Sequence, residues 1–588
     1  MIRSNLIAGL LTVLFLALFW TVPFQPDHSW GWDESMNAGL PAARILAESE
    51  TGGLRGGAQV LVSDCQQYPF AVPVYLAFAQ KLFGFSELVT RVASRLLFCF
   101  GLFGLFLLAS EVTRSLRRGT LDLAWPGPAT ETKILFGALA FGALCPLAFG
   151  ISGTLFLETG FLTAQIFCLR AWLRRGTTCE GSKGLLRRDL AAGCWLCVCF
   201  FTKFNYACLL FAALGIDLLF QAWGARRDGS LTLFFKRALW LALPLVIALL
   251  WWFVFPWPGN GDIAAQHRDS FVAYLSGNQT VGSTPWSRRL LDWSAAFVPT
   301  ARFGLLLIAG LALAVRFSKN AAVRLMWTVA ACFAIPITLH PFHLERFLIP
   351  IGPPLWILSA LGLGLLAERV AARIPNRAAR FGLGFFVLAA CLAFPERDAR
   401  FMAKRVGIWQ EGKADYLTWL FAGWRDLSPS RRLGTAGLPT GTANALVDLV
   451  AGEVSAAERF GWLGVSAELS PAAVHLGLAE RRAELGLEEI FTESFRRDAH
   501  RKAFLAHGSV DIGMGLELFR EWAEQFDVIF LTDPPDLKAR RSREWISGYV
   551  NRLEKELGWN RKELGQVQVD RPFADPITVT LFACRPPR

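Results

Sequence analysis

Long apolar blocks separated by charged loops run through the first two thirds of the chain. Blocks of about 18 or more apolar residues are typical of membrane helices, because unpaired backbone groups are too costly in lipid. The apolar blocks lie at residues 6–24, 92–112, 134–150, 155–173, 190–203, 206–222, 239–257, 301–316, 323–339, 347–366 and 381–394. The pattern predicts a polytopic α-helical membrane protein with about eleven transmembrane helices.

The chain changes character after residue 394. Residues 395–588 are charged, and helical patterns alternate there with short β-branched and aromatic runs such as FDVIFLTD and ITVTLFAC. Alternating helices and strands favour a soluble α/β domain. The Gly- and Thr-rich stretch GTAGLPTGTANAL lacks the lysine and the strand–loop–helix context of a phosphate-binding loop, so we interpret it as a turn-rich connection.

Basic residues concentrate in the loops on one side of the predicted membrane, where roughly twenty Lys or Arg face about six acids. These basic loops are 113–133, 174–189, 223–238, 316–324 and 367–380. The positive-inside rule places them and the N-terminus in the cytoplasm. The loops at 25–91 and 258–300 then lie outside, and an odd number of spans places the C-terminal segment outside as well.

Two domains follow from this topology. Residues 1–394 form a transmembrane domain with its long outer loops at 25–91 and 258–300, and residues 395–588 form a C-terminal extracytoplasmic α/β domain. The first apolar block has no small-residue cleavage site before Gln25, so we expect a retained helix. The basic inner loops and the lack of an ER retention signal favour a bacterial inner (plasma) membrane.

Composition supports the membrane interpretation. The chain is 53% hydrophobic and 13% aromatic, and its formal net charge is +12. Such a charge can indicate nucleic-acid binding, but here the Lys and Arg cluster in short loops between apolar blocks, which is a topology signal. We therefore expect membrane lipids as partners and no nucleic acid.

Cysteines give two further hypotheses. The stretch CWLCVC, with Cys194, Cys197 and Cys199, has a spacing that resembles a metal clip, but a membrane helix rich in small, soft residues is favoured. Cys65 and Cys584 both fall in segments predicted to lie outside the membrane. They could pair in an oxidising compartment, and the sequence leaves this open.

The stretch WGWDES, just after the first apolar block, places Asp33 and Glu34 side by side at the predicted outer surface. They are either solvated loop charges or catalytic carboxylates that face a lipid-borne substrate. Glu158, in LFLETGF, is harder to explain as a solvated loop charge, because apolar residues surround it near the outer end of a predicted span.

Three basic side chains are predicted at the same membrane face. Lys203 occupies the turn between two short spans, Arg346 lies where a span re-enters from outside, and His343 lies close to Arg346. Lys203 and Arg346 could neutralise phosphate oxygens while a lipid tail stays in the bilayer. Alternatively, each only extends to the lipid phosphates, as basic residues at helix ends often do. The whole set at one face favours a functional site.

Four stretches in order resemble the polytopic GT-C glycosyltransferases, which include the protein O-mannosyltransferases and the lipid A aminoarabinose transferases and use polyprenyl-phosphate sugars. The stretches are WDES, YPFAVPVYLAFAQKLFGFSELVTRVASRLLF, FFTKFNYACLLF and ERFLIPIGPPLWILSALGLG. They span the membrane half, roughly residues 1–394. The resemblance implies a GT-C membrane core with its active site at the outer interface and sugar transfer from a lipid phosphate.

The resemblance also assigns roles to residues. Asp33 matches the family's catalytic acidic position and would be the general base, with Glu34 supporting it. Glu158 stands where the family often has an aspartate, and Lys203 and Arg346 would contact the donor phosphate. Where many members have a basic residue before Pro-Pro, this chain has Gln-Tyr-Pro at 67–69, which leaves the donor sugar open.

The function expected from the resemblance is single-displacement transfer of a sugar from a polyprenyl-phosphate donor to a lipid, protein or glycan acceptor. Some relatives use a divalent metal ion, and the acidic cluster could hold one. The main alternative is a multi-span lipid or solute transporter or flippase. A transporter should more often show internal repeats and charges near the midplane, and we find no clear repeat.

Overall fold

The structure is a computed structural model of the 588-residue chain. It describes residues 38–64, 69–119, 128–145, 157–175, 182–253, 301–340, 345–374, 440–454, 460–463, 471–480, 516–524, 526–533, 540–571 and 574–587, with isolated positions between 7 and 14, 147 and 155, and 289 and 297, and residue 376. Asp33, Glu34, Cys65, His343 and the predicted domain boundary at residue 394 lie outside the described residues.

Most of the described chain is helical. The helices are α1 Leu40–Asp64, α2 Ala71–Phe83, α3 Glu87–Gly119, α4 Pro128–Ala143, α5 Leu157–Arg175, α6 Ser182–Thr202, α7 Phe204–Arg227, α8 Leu231–Phe253, α9 Ala301–Ala314, α10 Ala321–Leu339, α11 Gly352–Arg373, α12 Thr440–Ala451, α13 Pro471–Glu480, α14 Leu516–Ala523 and α15 Arg540–Lys555. Short 3₁₀ helices cover Val315–Phe317 and Glu345–Ile351.

Five of the described helical segments are long and apolar enough to cross a membrane. They are Glu87–Arg118, Phe204–Arg227, Leu231–Phe253, Ala321–Leu339 and Arg346–Arg373. Each contains or overlaps a block predicted from the sequence, so the polytopic helical fold is confirmed. The count of about eleven spans stays a prediction.

The chain forms two compact units. The first unit consists of Met1–Pro23, Gln66–Val72 and Ser94–Pro429, and the second of Phe24–Cys65, Pro73–Ala93 and Ser430–Arg588. The first unit holds most of the apolar helices, and the second holds the described strands.

Within the first unit, α6 packs against both α5 and α8, α11 packs against both α4 and α9, and α7 packs against α10. The contact between α9 and α11 is made through small residues. A Cβ on Gly362 would lie 2.8 Å from the carbonyl carbon of Gly310, and a Cβ on Gly310 would lie 2.8 Å from the Cα of Ser359. The Ser359 hydroxyl donates to the Leu307 carbonyl at 3.0 Å. Small residues let two membrane helices approach this closely.

Replacing Gly362 with valine is expected to destabilise the first unit by about 1–3 kcal/mol. The added atoms would clash with the backbone of α9, which cannot move aside as a flexible side chain can. Thermal unfolding of the purified protein in detergent measures the effect. Gly215→Val in α7 is the matched control, since a Cβ at Gly215 meets no atom within 4 Å. Equal unfolding temperatures for the two variants would contradict the close helix contact.

Ion pairs with buried carboxylates join helix ends in the first unit. Asp189 in α6 is fully buried and accepts hydrogen bonds from Arg175 in α5 at 2.6 Å and from Arg237 in α8 at 3.0 Å. Glu131 in α4 accepts from Arg117 in α3 at 2.5 Å. All five residues belong to loops that the sequence places in the cytoplasm, and these contacts connect the ends of neighbouring helices.

The second unit contains a four-stranded sheet. Its strands are β1 Phe460–Leu463, β2 Val528–Asp533, β3 Asn560–Arg571 and β4 Ala574–Arg585. Their order is β1-β2-β4-β3, with β1 and β2 parallel and the other pairs antiparallel. Helix α12 packs on β3. The α/β character predicted for the C-terminal region is confirmed: β2 lies within the run FDVIFLTD, and β4 contains the run ITVTLFAC.

The cysteines that the structure describes are free thiols. Cys194, Cys197 and Cys199 lie in α6, as the helix interpretation predicts. Cys584 is fully buried in β4, where burial first, and then the charge of Glu554, raise the pKa of its thiol to about 12. Since the thiolate is the reactive form, Cys584 is inert at neutral pH.

The start of α3 is capped from two sides within the second unit. The Ser86 hydroxyl accepts from the Val89 N–H at 3.1 Å, which is a standard N-cap. The Glu480 carboxylate, at the end of α13, accepts from the Glu87 N–H at 3.0 Å. Burial raises the pKa of Glu480, although the Glu87 N–H and the nearby Arg91 lower it in part. Helix α13 is thereby attached to the beginning of α3.

Candidate active site

Three elements of the first unit carry the charged residues of the candidate site. Glu158 is the second residue of α5, and Lys203 is the single residue between α6 and α7, with an extended backbone (φ −161°, ψ 104°). Arg346 is the second residue of the 3₁₀ helix Glu345–Ile351, which leads directly into α11. Helix α6 ends and helix α7 begins at Lys203, so the Lys203 side chain extends from the turn between the two helices.

The three side chains meet at the carboxylate of Glu158. Its Oε1 accepts a hydrogen bond from Lys203 Nζ at 2.6 Å and lies 3.4 Å from Arg346 Nε. The side chain of Glu158 is 3% exposed, that of Lys203 15% and that of Arg346 11%. Three of the six predicted site residues are therefore in one mostly buried cluster.

Aromatic rings enclose the two cations. Lys203 Nζ lies 4.4 Å from the ring centroid of Tyr206, and the ring of Phe347 is 5.5 Å from Lys203 Nζ and 5.6 Å from Arg346 Cζ. Such contacts attract cations to the ring face, more strongly where water is excluded. The sequence analysis missed Tyr206 and Phe347. Tyr206 follows Lys203 by three residues in α7, and that spacing is the signal that could have found it.

Lys203 and Arg346 bring two cationic groups together at one carboxylate. Two basic side chains grouped in a mostly buried site are suited to bind an anion. Guanidinium and ammonium groups both bind phosphate oxygens, the former in a planar fork and the latter as a point charge. The N-terminal end of α5, where Glu158 lies, adds the positive end of a helix dipole. The arrangement can bind a phosphate monoester or diester.

The other predicted site residues stay predictions. Asp33, Glu34 and His343 lie outside the described residues, so their distances from Glu158 are not defined. In the described part of the chain, no three His, Cys, Asp or Glu side chains converge as a metal site would require. Glu158 itself contacts two cations, which does not fit the role of a metal ligand.

The same fold occurs in two crystal structures of ArnT from Cupriavidus metallidurans. The apo structure has a TM-score of 0.54 and 14% sequence identity, and the alignment covers 99% of this chain and 97% of that one. The structure bound to undecaprenyl phosphate has a TM-score of 0.52 and 14% identity, with 98% and 97% covered. No family model matches the sequence, and no curated protein matches it.

The chain thus shares its fold with ArnT. The fold and the apolar helices together define an integral membrane protein. At 14% identity the likeness concerns the fold.

Proposed function

We propose that this protein is a membrane glycosyltransferase that moves a sugar from a polyprenyl-phosphate donor to an acceptor on the outer face of the membrane. The acceptor is a lipid, a protein or a glycan of the cell envelope. The site in the first unit supplies the donor-binding charges, and the membrane is the bacterial plasma membrane, with residues 395–588 on its outer side.

One observation carries this proposal. Lys203 and Arg346, which are far apart in sequence, converge on Glu158 in a mostly buried site. The fold supports the choice of ligand, because ArnT shares it and has been crystallised with undecaprenyl phosphate. A polyprenyl phosphate combines the anion that the cluster can bind with a tail that the bilayer can dissolve.

The chemistry is a single displacement. Asp33 takes the proton from the acceptor hydroxyl or amine, and the nucleophile attacks the anomeric carbon of the sugar. The bond from that carbon to the phosphate oxygen breaks, and the polyprenyl phosphate leaves with the electron pair. Lys203 and Arg346 stabilise the negative charge that develops on the leaving oxygen, with His343 as a further donor. One displacement inverts the anomeric configuration.

Glu158 has a different role from Asp33 in this proposal. Oε1 of Glu158 contacts the two cations, so Glu158 holds Lys203 and Arg346 in position and leaves proton abstraction to Asp33. Glu34 supports Asp33. A divalent metal ion at Asp33 and Glu34 would add positive charge beside the donor phosphate.

The test is a transfer assay in nanodiscs with radiolabelled polyprenyl-phosphate sugars and an envelope extract as the source of acceptors. The wild-type protein is expected to move label from the lipid to an acceptor. Lys203→Met is expected to lower kcat/KM about tenfold, the lower limit for losing a hydrogen bond from a charged group. Lys236→Met, at an exposed position of α8, is the matched control.

If the folded wild-type protein transfers no sugar from any polyprenyl-phosphate donor, the proposal is wrong. The next assay is then transport of a lipid or solute across the membrane of proteoliposomes that contain the protein. Loss of activity in Lys236→Met as large as that in Lys203→Met would also count against a specific role for Lys203.

A further inference from the structure

The segment that carries Arg346 has a backbone carbonyl that local structure cannot satisfy. In a helix, the carbonyl of Pro350 would accept from the N–H three or four residues later. Both of those residues, Pro353 and Pro354, are prolines and have no N–H. The carbonyl is at the junction of the 3₁₀ helix and α11, so it needs a partner from elsewhere.

Gln165 of α5 supplies that partner. Its side-chain Nε2 donates to the Pro350 carbonyl at 2.8 Å, and Gln165 is fully buried. The other half of the amide, Oε1, is buried and finds no donor in the part of the chain that the structure describes. Burying an amide whose oxygen has no donor costs free energy. The presence of glutamine at this position therefore points to a role for the hydrogen bond that its Nε2 donates.

The bond to Pro350 is the second of two contacts between the same pair of elements. Glu158 and Gln165 are seven residues apart in α5, which is about two helical turns or ~10 Å and leaves both on one face. Arg346 and Pro350 are four residues apart in the facing 3₁₀ helix. The contact of Glu158 with Arg346 lies at one end of this packed pair, and the contact of Gln165 with Pro350 lies deeper along α5.

We propose that Gln165 is a positioning residue for donor binding, which fixes the backbone that carries Arg346 so that its guanidinium reaches the donor phosphate. This inference rests on the proposed function only in taking Arg346 as a phosphate ligand. Because Pro353 and Pro354 offer no N–H to the Pro350 carbonyl, the Gln165 amide is the contact that fixes the position of the 3₁₀ helix along α5.

The experiment measures the affinity of the purified protein in nanodiscs for a polyprenyl phosphate that carries no sugar, so it requires no transfer activity. Gln165→Met keeps the length of the side chain and removes the donor, and it is expected to raise Kd about tenfold. In an Arg346→Met background, the same change is expected to have no further effect, because Gln165 acts through Arg346.

Thr163→Val is the matched control. Thr163 is also in α5, and its hydroxyl donates to a backbone carbonyl at 2.9 Å, but that carbonyl belongs to Leu97 of α3. We expect Thr163→Val to lower the unfolding temperature while Kd stays unchanged. Gln165→Glu is a second variant, since a neutral glutamic acid can still donate, and it is expected to bind more tightly at acidic pH than at alkaline pH.

Three results would overturn the inference. They are an unchanged Kd in Gln165→Met, effects of Gln165→Met and Arg346→Met that multiply in the double variant, and a wild-type protein that does not bind the polyprenyl phosphate. A protein that binds the lipid, shows the expected changes and yet transfers no sugar would support the positioning role and contradict the proposed function instead.

Discussion

Asp33→Asn is expected to lower the rate of sugar transfer by about 10²–10⁴-fold, which is the range that a general base contributes. Asparagine has nearly the shape of aspartate and cannot accept the proton from the acceptor. Because the donor phosphate is held by other residues in the proposed mechanism, Kd for polyprenyl phosphate should stay near the wild-type value. Single-turnover release of radiolabelled sugar measures the rate, and lipid binding in nanodiscs measures Kd.

Glu34→Gln is the matched control for Asp33→Asn. It removes the adjacent carboxylate of the WDES stretch, to which we assign a supporting role, and a smaller loss of rate is expected. If both variants lose the same activity, the pair acts as a unit or holds a metal ion, and the assignment of Asp33 alone is wrong. If Asp33→Asn keeps its activity, these carboxylates are solvated loop charges.

The charged centre of the site could be predicted because charge inside an apolar block is conspicuous. Glu158, Lys203 and Arg346 each stood at the edge of a predicted span, and alternation of the spans placed all three at one membrane face. The structure confirms that they meet. Their pairing through a single carboxylate oxygen could not be predicted, since it depends on how α5, the turn at Lys203 and the 3₁₀ helix pack.

The uncharged residues around the site could not be predicted in the same way. The chain has 48 phenylalanines and 6 tyrosines, so Tyr206 and Phe347 are not distinguished by type from the many aromatic residues that face lipid or pack in the core. Gln165 lies inside an apolar block, and only the structure shows that its amide meets the Pro350 carbonyl. Its partner is determined by a tertiary contact and has no local pattern.

The fold was predictable to a similar degree. Hydrophobic block length defined the membrane helices, because the bilayer sets that length independently of neighbouring helices. Helix ends depended on local chemistry instead. Helix α3 begins at Glu87, five residues before the predicted block, because Ser86 caps it. The close approach of Gly310 and Gly362 is a property of two packed helices, so the sequence pattern alone does not show it.

Glu158→Gln is expected to destabilise the protein without ligand by about 3–5 kcal/mol, because removing one partner of a buried ion pair leaves uncompensated charge. Here two cations, Lys203 and Arg346, would lose their shared counter-charge. Transfer is expected to fall at least about 100-fold, since both cations move from the positions in which they meet the leaving phosphate. Thermal unfolding in detergent and the nanodisc assay measure the two effects.

Polyprenyl phosphate should restore part of the lost stability, and this separates the expected result from general misfolding. A ligand that binds only the folded state stabilises it more the more tightly it binds. The glutamine variant removes the Glu158 carboxylate, which competes with the phosphate for the two cations. The rise in unfolding temperature on adding the lipid should therefore be larger in Glu158→Gln than in wild type. Glu131→Gln, which removes a buried carboxylate from its ion pair with the half-exposed Arg117, is the control and should lose stability, keep transfer and show the wild-type response to lipid. A Glu158→Gln variant with wild-type transfer, or one that the lipid does not stabilise, would show that this cluster does not bind the donor phosphate.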